Sequence, residues 1–250
     1  MPSSPCSVSW AGACGEGGWR SRPVAEPGAC IAIVGAESTG KTTLAAVLAG
    51  RLHAAGHGRV AWVPEVLREW CDATGRTPRA HEQAAMLHAQ HERIAEAAAR
   101  HDWVVCDTTG LMTAVYSTLV FGDESLQARA AELHARTATA TLLTALDLPW
   151  VPDGHQRDGP QVREPVDTLL RALMRRHGLV YSVVAGSGEQ RVQQALAAVR
   201  PHLKAGSGGG LFTGLASGHA ARARWACECC VPEAERALLR SRSAPPRRSG

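Results

Sequence analysis

Apolar residues along this chain alternate between short unbroken runs and longer stretches in which they recur every three or four positions. The runs are Ile31 to Val34, Arg59 to Val63, Asp102 to Cys106, Thr139 to Leu146 and Val180 to Val184, each of a length that suits a buried strand. Between them lie helical patterns at Leu44 to Leu52, from Glu65 onward, Arg79 to Arg100, from about Leu111, Glu124 to Arg136, Pro165 to His177 and Glu189 to Leu203. In the long Arg79 to Arg100 helix the spacing predicts an inner stripe of Ala85, Leu87, His88, His91, Ile94, Ala95 and Ala98. Short strands that alternate with helices predict a parallel five-stranded sheet covered on both faces, a three-layer α/β domain.

Composition sets the limits of that domain. The 250 residues, 45% of them hydrophobic, allow one medium domain with appendages. Residues 1–28 are rich in Ser, Gly and Pro and lack the basic start and continuous apolar stretch of a signal peptide, so they read as a disordered leader. Residues 29–204 hold the elements, and residues 205–250, with Gly-Ser-Gly-Gly-Gly at 206–210 and Pro-Pro-Arg-Arg at 245–248, read as a flexible tail. No apolar run approaches the roughly 20 residues of a membrane helix, and the expected compartment is the cytoplasm. There Cys30, Cys71 and Cys106 would pack as reduced, small hydrophobes. Cys227, Cys229 and Cys230 have no second ligand pair at zinc spacing, which favours unstructured thiols over a metal site.

Charge adds an exclusion. Residues 1–204 carry 20 Lys or Arg against 20 Asp or Glu, and residues 205–250 carry 7 Arg against 3 Glu, so the net +4 lies entirely in the tail. The domain has no overall basic bias and is not expected to bind nucleic acid.

The chemistry begins in the loop after the first strand. Gly35-Ala36-Glu37-Ser38-Thr39-Gly40-Lys41-Thr42-Thr43 fits the phosphate-binding loop Gly-x-x-x-x-Gly-Lys-[Ser/Thr], set between a strand and a helix. The glycines let the backbone turn its N–H groups toward phosphate at a helix N-terminus. Lys41 supplies charge to the outer phosphates and Thr42 a magnesium ligand. Lys41 is one of only two lysines in a chain that otherwise uses arginine.

Asp107 follows the third strand directly, where a carboxylate can order magnesium; the competing job is to cap the next helix. Glu65 ends the second strand, where it can orient or deprotonate an acceptor hydroxyl or, equally, cap the following helix. Trp62, Trp70 and Tyr116 can stack on a flat cationic base, although core packing is the expected job for each. His88 and His91 complete no metal site. The segment Asp147 to Arg163 is rich in Pro, Gly and Asp and carries Arg157 and Arg163. It suits a lid that closes over phosphates, against the plainer reading of a solvated loop.

Together, Gly-Ala-Glu-Ser-Thr-Gly-Lys-Thr-Thr-Leu, Pro-Glu-Val-Leu-Arg-Glu-Trp, Val-Val-Cys-Asp-Thr-Thr and Trp-Val-Pro-Asp-Gly-x-x-Arg resemble the nicotinamide riboside kinase domain of NadR-type NAD-biosynthesis proteins, over about Ala29 to Leu203. The resemblance implies a P-loop kinase fold and transfer of the ATP γ-phosphate to the 5′-hydroxyl of nicotinamide riboside. It also implies that Lys41 and Thr42 serve ATP and magnesium, that Asp107 serves the metal, that Arg157 and Arg163 belong to the lid, and that Glu65 and Arg68 face the acceptor. Two departures stand out. Thr109 takes the place of the second Asp that the family often carries, and the 28 residues before the first strand leave no room for an adenylyltransferase domain, so the expected activity is kinase only.

The expected function is therefore a magnesium-dependent, ATP-using kinase acting on a small nucleoside. The alternative is a regulatory ATP-binding module that acts through a protein partner. A GTPase switch is disfavoured, because the chain has no asparagine and neither lysine begins a guanine-reading [Asn/Thr]-Lys-x-Asp motif. An AAA-type machine is disfavoured because little chain remains after Asp107 for a separate helical domain.

Overall fold

All five apolar runs form strands, and the helices between them force every strand to run the same way. In the computed structural model, residues 27–151 and 159–204 are described. Apart from Pro27 and Gly28, the expected leader lies outside them, as do the tail and Arg157. The chain divides into two units, 1–198 and 199–250, and of the second only the last residues of a helix are described.

The elements are β1 (Ala29–Val34), α1 (Lys41–Ala54), β2 (Val60–Val63), α2 (Val66–Thr74), α3 (Gln83–Ala98), β3 (Trp103–Asp107), α4 (Gly110–Phe121), α5 (Gln127–Thr137), β4 (Ala138–Thr144), α6 (Arg163–Arg176), β5 (Ser182–Val184) and α7 (Gly188–Lys204). Single 3₁₀ turns at Ala80–Glu82 and Pro160–Val162 lead into α3 and α6. The sheet is parallel throughout, in the order β2-β3-β1-β4-β5. Strand β1 is central, and the order reverses on either side of it. In open α/β sheets that reversal opens a crevice beyond the carboxyl ends of the strands, where ligands bind.

Alternation along β1 puts Cys30, Ala32 and Val34 on the face covered by α3 to α6, and Ile31 and Ile33 on the other. Cys30, with Val104 and Cys106 of β3 and Val63 of β2, packs on Ile94 and Ala98 of α3. Val34 and Leu143 join a larger cluster with Leu111, Met112 and Val115 of α4, Ala130 and Leu133 of α5, and Leu170 and Leu173 of α6. Helix α1 buries Leu44, Ala45, Leu48 and Leu52 and packs on β2 and β3. It lies beside α7, to which the exposed ion pair Arg51–Glu189 joins it at 2.7 Å. Three cysteines, Cys30, Cys71 and Cys106, are free and buried, as small hydrophobes.

The sequence pattern misplaces some positions. Helix α3 buries Gln83, Leu87, Gln90, Ile94 and Ala98, whereas Ala85, His88 and Ala95 are exposed and His91 half-buried. The stripe is rotated because two glutamines occupy it, and Gln90 has a definite reason to be inside. Its Oε1 accepts from the N–H of Val66 at 2.8 Å, and its Nε2 donates to Pro64 O at 3.4 Å. One carboxamide thus satisfies both sides of the β2–α2 junction. Trp62 is 43% exposed, not core, because β2 is an edge strand with one face barely covered.

Gln90→Leu keeps the volume and removes the acceptor for Val66. It should lower unfolding stability by about 1–3 kcal/mol, the cost of one buried unsatisfied N–H. Urea denaturation checks this, and an unchanged midpoint would mean that another group takes the Val66 proton.

Candidate functional site

The β1–α1 loop, residues 35–40, is a backbone structure with its carbonyls tied down. Gly35 has φ +149°, and a Cβ there would stand 2.1 Å from Thr144 Oγ1. Gly40 is left-handed at φ +75° and serves as N-cap of α1. Ser38 is also at positive φ, +55°. Thr39 is fully buried, its hydroxyl donating to Ala36 O and meeting Thr144 Oγ1, both at 2.7 Å. Lys41 folds back so that Nζ donates to Ala36 O at 2.7 Å. No acidic residue lies in the first turn of α1. The helix N-terminus is therefore free to favour an anion. Ala36 is buried, Glu37 and Thr42 are half-buried, and Thr43 is exposed on the first turn.

Across the sheet, Asp107 is the last residue of β3 and pairs in register with Ile33, two positions before the loop. It is 1% exposed, and its Oδ1 has no hydrogen-bond partner among the described residues. It does not cap α4; Thr109 does, accepting from the N–H of Leu111 at 3.4 Å. An unpartnered buried carboxylate oxygen beside a phosphate loop fits a hard cation that takes few protein ligands and completes its shell from phosphate and water. Among the described residues there is no cluster of three His, Cys, Asp or Glu that would form an all-protein metal cage.

Thr108, between Asp107 and the cap, has φ +75°, and its N–H donates to Ile33 O at 3.0 Å. A β-branched residue in this region stores about 1–3 kcal/mol of strain, which the neighbouring ladder must hold.

Thr109 stands where the family resemblance leads one to expect a carboxylate, and it is fully engaged otherwise. Its hydroxyl lies 3.0 Å from His134 Nδ1, and His134 Nε2 lies 2.8 Å from Thr141 Oγ1. Burial pushes the His134 imidazole down to about 4, so the ring is neutral and donates to one hydroxyl while accepting from the other.

A cavity of about 690 Å³ opens beside the loop. Glu37, Lys41, Glu65, Arg68 and Tyr116 line it, together with Cys71, Asp72 and Gln83. Its outer wall is apolar, with Leu119, Val120 and Phe121 from the end of α4 and Val162, Pro165 and Val166 from the start of α6. Glu65 occupies the N-cap position of α2 but makes no capping hydrogen bond, since Gln90 has taken the first N–H of that helix. Burial, with Asp72 and Glu65 nearby, raises the Cys71 thiol, so it is a neutral part of the wall.

Trp70 does not line this cavity; the guanidinium of Arg76 covers its ring at 4.7 Å. Arg163 lies on a helix and not in the loop. It opens α6, is 8% exposed, and donates from Nη1 to Leu148 O at 2.9 Å, with Nε and Nη2 unpartnered among the described residues. The helix starts two residues earlier than the sequence pattern predicts because Pro160, after Gly159 at φ +106°, opens a 3₁₀ turn that runs straight into it. The loop's attachment to the phosphate loop is made elsewhere: Ser38 Oγ receives the N–H of Val151 at 2.8 Å and donates to its carbonyl at 3.2 Å.

Arg191 was invisible to sequence reasoning. It lies in the first turn of α7 and reaches Thr39 O, Ala145 O, Asp147 and Gly186 O. No local pattern signals it, because its partners are scattered over the chain.

The AAA domain family model matches residues 30–191. No curated protein matches the sequence. Among solved structures, a NadR protein in complex with NAD and AMP-PNP superposes with a TM-score of 0.58 at 20% identity, over 71% of this chain and 50% of that one. A NadR protein in complex with NR gives 0.58 at 19% identity, over 70% and 51%. Thymidylate kinase from Ehrlichia chaffeensis gives 0.51 at 15% identity, over 70% of this chain and 100% of its own. The chain spans about half the length of the NadR chains it matches. At such identities the likeness is one of fold, a P-loop nucleoside or nucleotide kinase fold. No helix among the described residues is long and apolar enough to cross a membrane.

Two outcomes follow. Gly35→Ala should abolish nucleotide binding, because its Cβ would overlap Thr144 Oγ1; retained binding by calorimetry would show that the loop relaxes around it. His134 favours the fold when neutral, so its contribution is complete above its ordinary value near 6.5 and is lost as pH falls toward about 4. The loss should total roughly 3 kcal/mol and be missing in His134→Gln. Melting curves of the two proteins between pH 7 and 4 would run parallel if the histidine were not responsible.

Proposed function

The chain belongs to the AAA domain family, and from that premise we propose that it is an ATP-dependent phosphotransferase acting on a small nucleoside, with nicotinamide riboside as the first candidate acceptor. The observation that carries the proposal is the cavity of about 690 Å³ that both Lys41 of the phosphate loop and Glu65 of the β2–α2 junction line. A phosphate donor at the loop and a hydroxyl acceptor at Glu65 would share that space. The fold likeness to a NadR protein in complex with NR supports the choice of acceptor.

In this reading positioning and electrostatics do the work of an in-line transfer. The loop N–H groups from Gly35 to Thr43 hold the phosphates, and Lys41 exchanges its bond to Ala36 O for a phosphate oxygen. Asp107 and Thr42 would hold magnesium, which supplies charge neutralisation when bound. Arg163 offers Nε and Nη2, which have no hydrogen-bond partner among the described residues, as donors for charge that develops on the transferred group. Glu65, spared from capping, accepts or orients the acceptor's hydroxyl proton. Arg68 and Tyr116 bind the acceptor further out along the cavity. Arg157, outside the described residues, would serve as a lid arginine, and Trp70 takes no part in acceptor stacking because Arg76 occupies its face. The cytoplasm remains the proposed compartment.

ADP release from ATP and magnesium, with nicotinamide riboside and a panel of other nucleosides, tests the proposal when the products are weighed by mass spectrometry. A product heavier by one phosphate, absent in Lys41→Ala, is expected. Glu65→Gln should lower kcat while leaving ATP affinity nearly intact, and an unchanged kcat would remove Glu65 from the mechanism. Tight ATP binding without acceptor-stimulated turnover would overturn the kinase reading in favour of a regulatory module.

A further inference from the structure

The phosphate loop is gripped from behind by a guanidinium that comes from far along the chain. Arg191 is 4% exposed. Its Nη2 donates to Thr39 O at 2.8 Å and to Ala145 O at 3.4 Å, and its Nη1 to Asp147 Oδ1 at 2.8 Å and Gly186 O at 2.6 Å. Asp147 is itself fixed by the N–H of Gly186, which donates to Oδ2. The acceptors therefore belong to the phosphate loop, the segment after β4 and the β5–α7 turn.

A trans peptide points its carbonyl and its N–H in opposite directions, and the described residues contain no cis bond. Whatever holds Thr39 O thus also sets the direction of the Gly40 N–H, one of the amides at the N-terminus of α1 where an anion binds. Gly40 has no side chain to restrain that peptide and is permissive by nature. The Thr39 hydroxyl restrains only its own side chain, through Ala36 O and Thr144. The carboxylate of Asp147 offsets the arginine's charge, so what reaches the loop is direction more than field.

We propose that Arg191 is a positioning residue for the nucleotide: by holding Thr39 O it keeps the Gly40 N–H facing the phosphates, without touching them. This rests on reading the loop as the nucleotide site. A lysine could keep the charge but not the planar fork that serves acceptors on two sides at once.

The test is calorimetric titration with ATP and magnesium, plus steady-state kinetics, at a temperature where circular dichroism shows each variant folded. Arg191→Gln should weaken ATP binding about tenfold or more and raise the KM for ATP to match. Its kcat at saturating ATP and its KM for the acceptor should stay within about twofold of wild type, the signature of lost ground-state binding. Arg191→Lys should fall between, and it carries the same readings should Arg191→Gln fail to fold. Arg51→Ala, which breaks the exposed α1–α7 ion pair with Glu189 but leaves the loop alone, should bind ATP like wild type. Equal weakening by Arg51→Ala would assign the effect to helix packing and overturn the inference, as would a folded Arg191→Gln that binds ATP normally or loses only kcat. A wild type that binds no ATP would remove the nucleotide reading itself; normal binding by both wild type and Arg191→Gln would remove this inference alone.

Discussion

A backbone that must present its N–H groups to an anion has to dispose of its carbonyls on the other side, and this requirement shapes the domain around residues 35–40. Ala36 O takes both the Thr39 hydroxyl and the Lys41 ammonium, and Thr39 O takes Arg191. Thr39 and Lys41 belong to the loop and the helix it opens, whereas Arg191 comes from α7, which the parallel topology brings to the carboxyl end of β1. The central place of β1 in the sheet is what lets Thr144 on β4 and Asp107 on β3 flank the same turn. Moving β4 would take Thr144 away from the buried Thr39 hydroxyl, and a buried polar group left without its partner costs about 1–3 kcal/mol.

A second division of labour operates at the β2–α2 junction. Helices leave their first N–H groups unsatisfied, and an acidic residue at the N-cap commonly takes them. Here Gln90, from a different helix, takes the first one, and Glu65 at the cap makes no capping hydrogen bond and lines the cavity. Thr109 shows the converse: it caps α4 and holds His134, so the position is committed to structure. The two junctions open onto the same region of the sheet, yet only one of them presents a carboxylate from its cap.

Periodicity made the strands and helices legible, and fixed spacing made the phosphate loop and Asp107 legible, because both signals are local. The parallel five-stranded sheet follows from those signals alone, and the kinase-like fold was implied by the family resemblance. Gln90, His134 and Arg191 were not legible, since each is a polar residue in a helix whose meaning lies in partners from other segments. Periodicity also counted Ala85 and Ala95 as inner positions; alanine suits either side of a helix, and the two buried glutamines took the places that an apolar rule would not give them. Trp70 failed as a base-stacking candidate for a related reason: nothing in the sequence announces that Arg76, across a turn, covers its ring.

The cavity's apolar outer wall has one more consequence. Leu119, Val120 and Phe121 are 43%, 61% and 39% exposed, a greasy lip around a space whose inner end is charged. Water wets the charged end easily and the lip poorly, so a guest with a flat apolar portion would be drawn in by the lip and would act as the stopper that keeps bulk solvent off the reacting phosphate. Under the proposed function, fidelity, in the sense of transferring phosphate to a guest instead of losing it to water, would then depend on how well the guest fills the mouth that Leu119, Val120 and Phe121 shape.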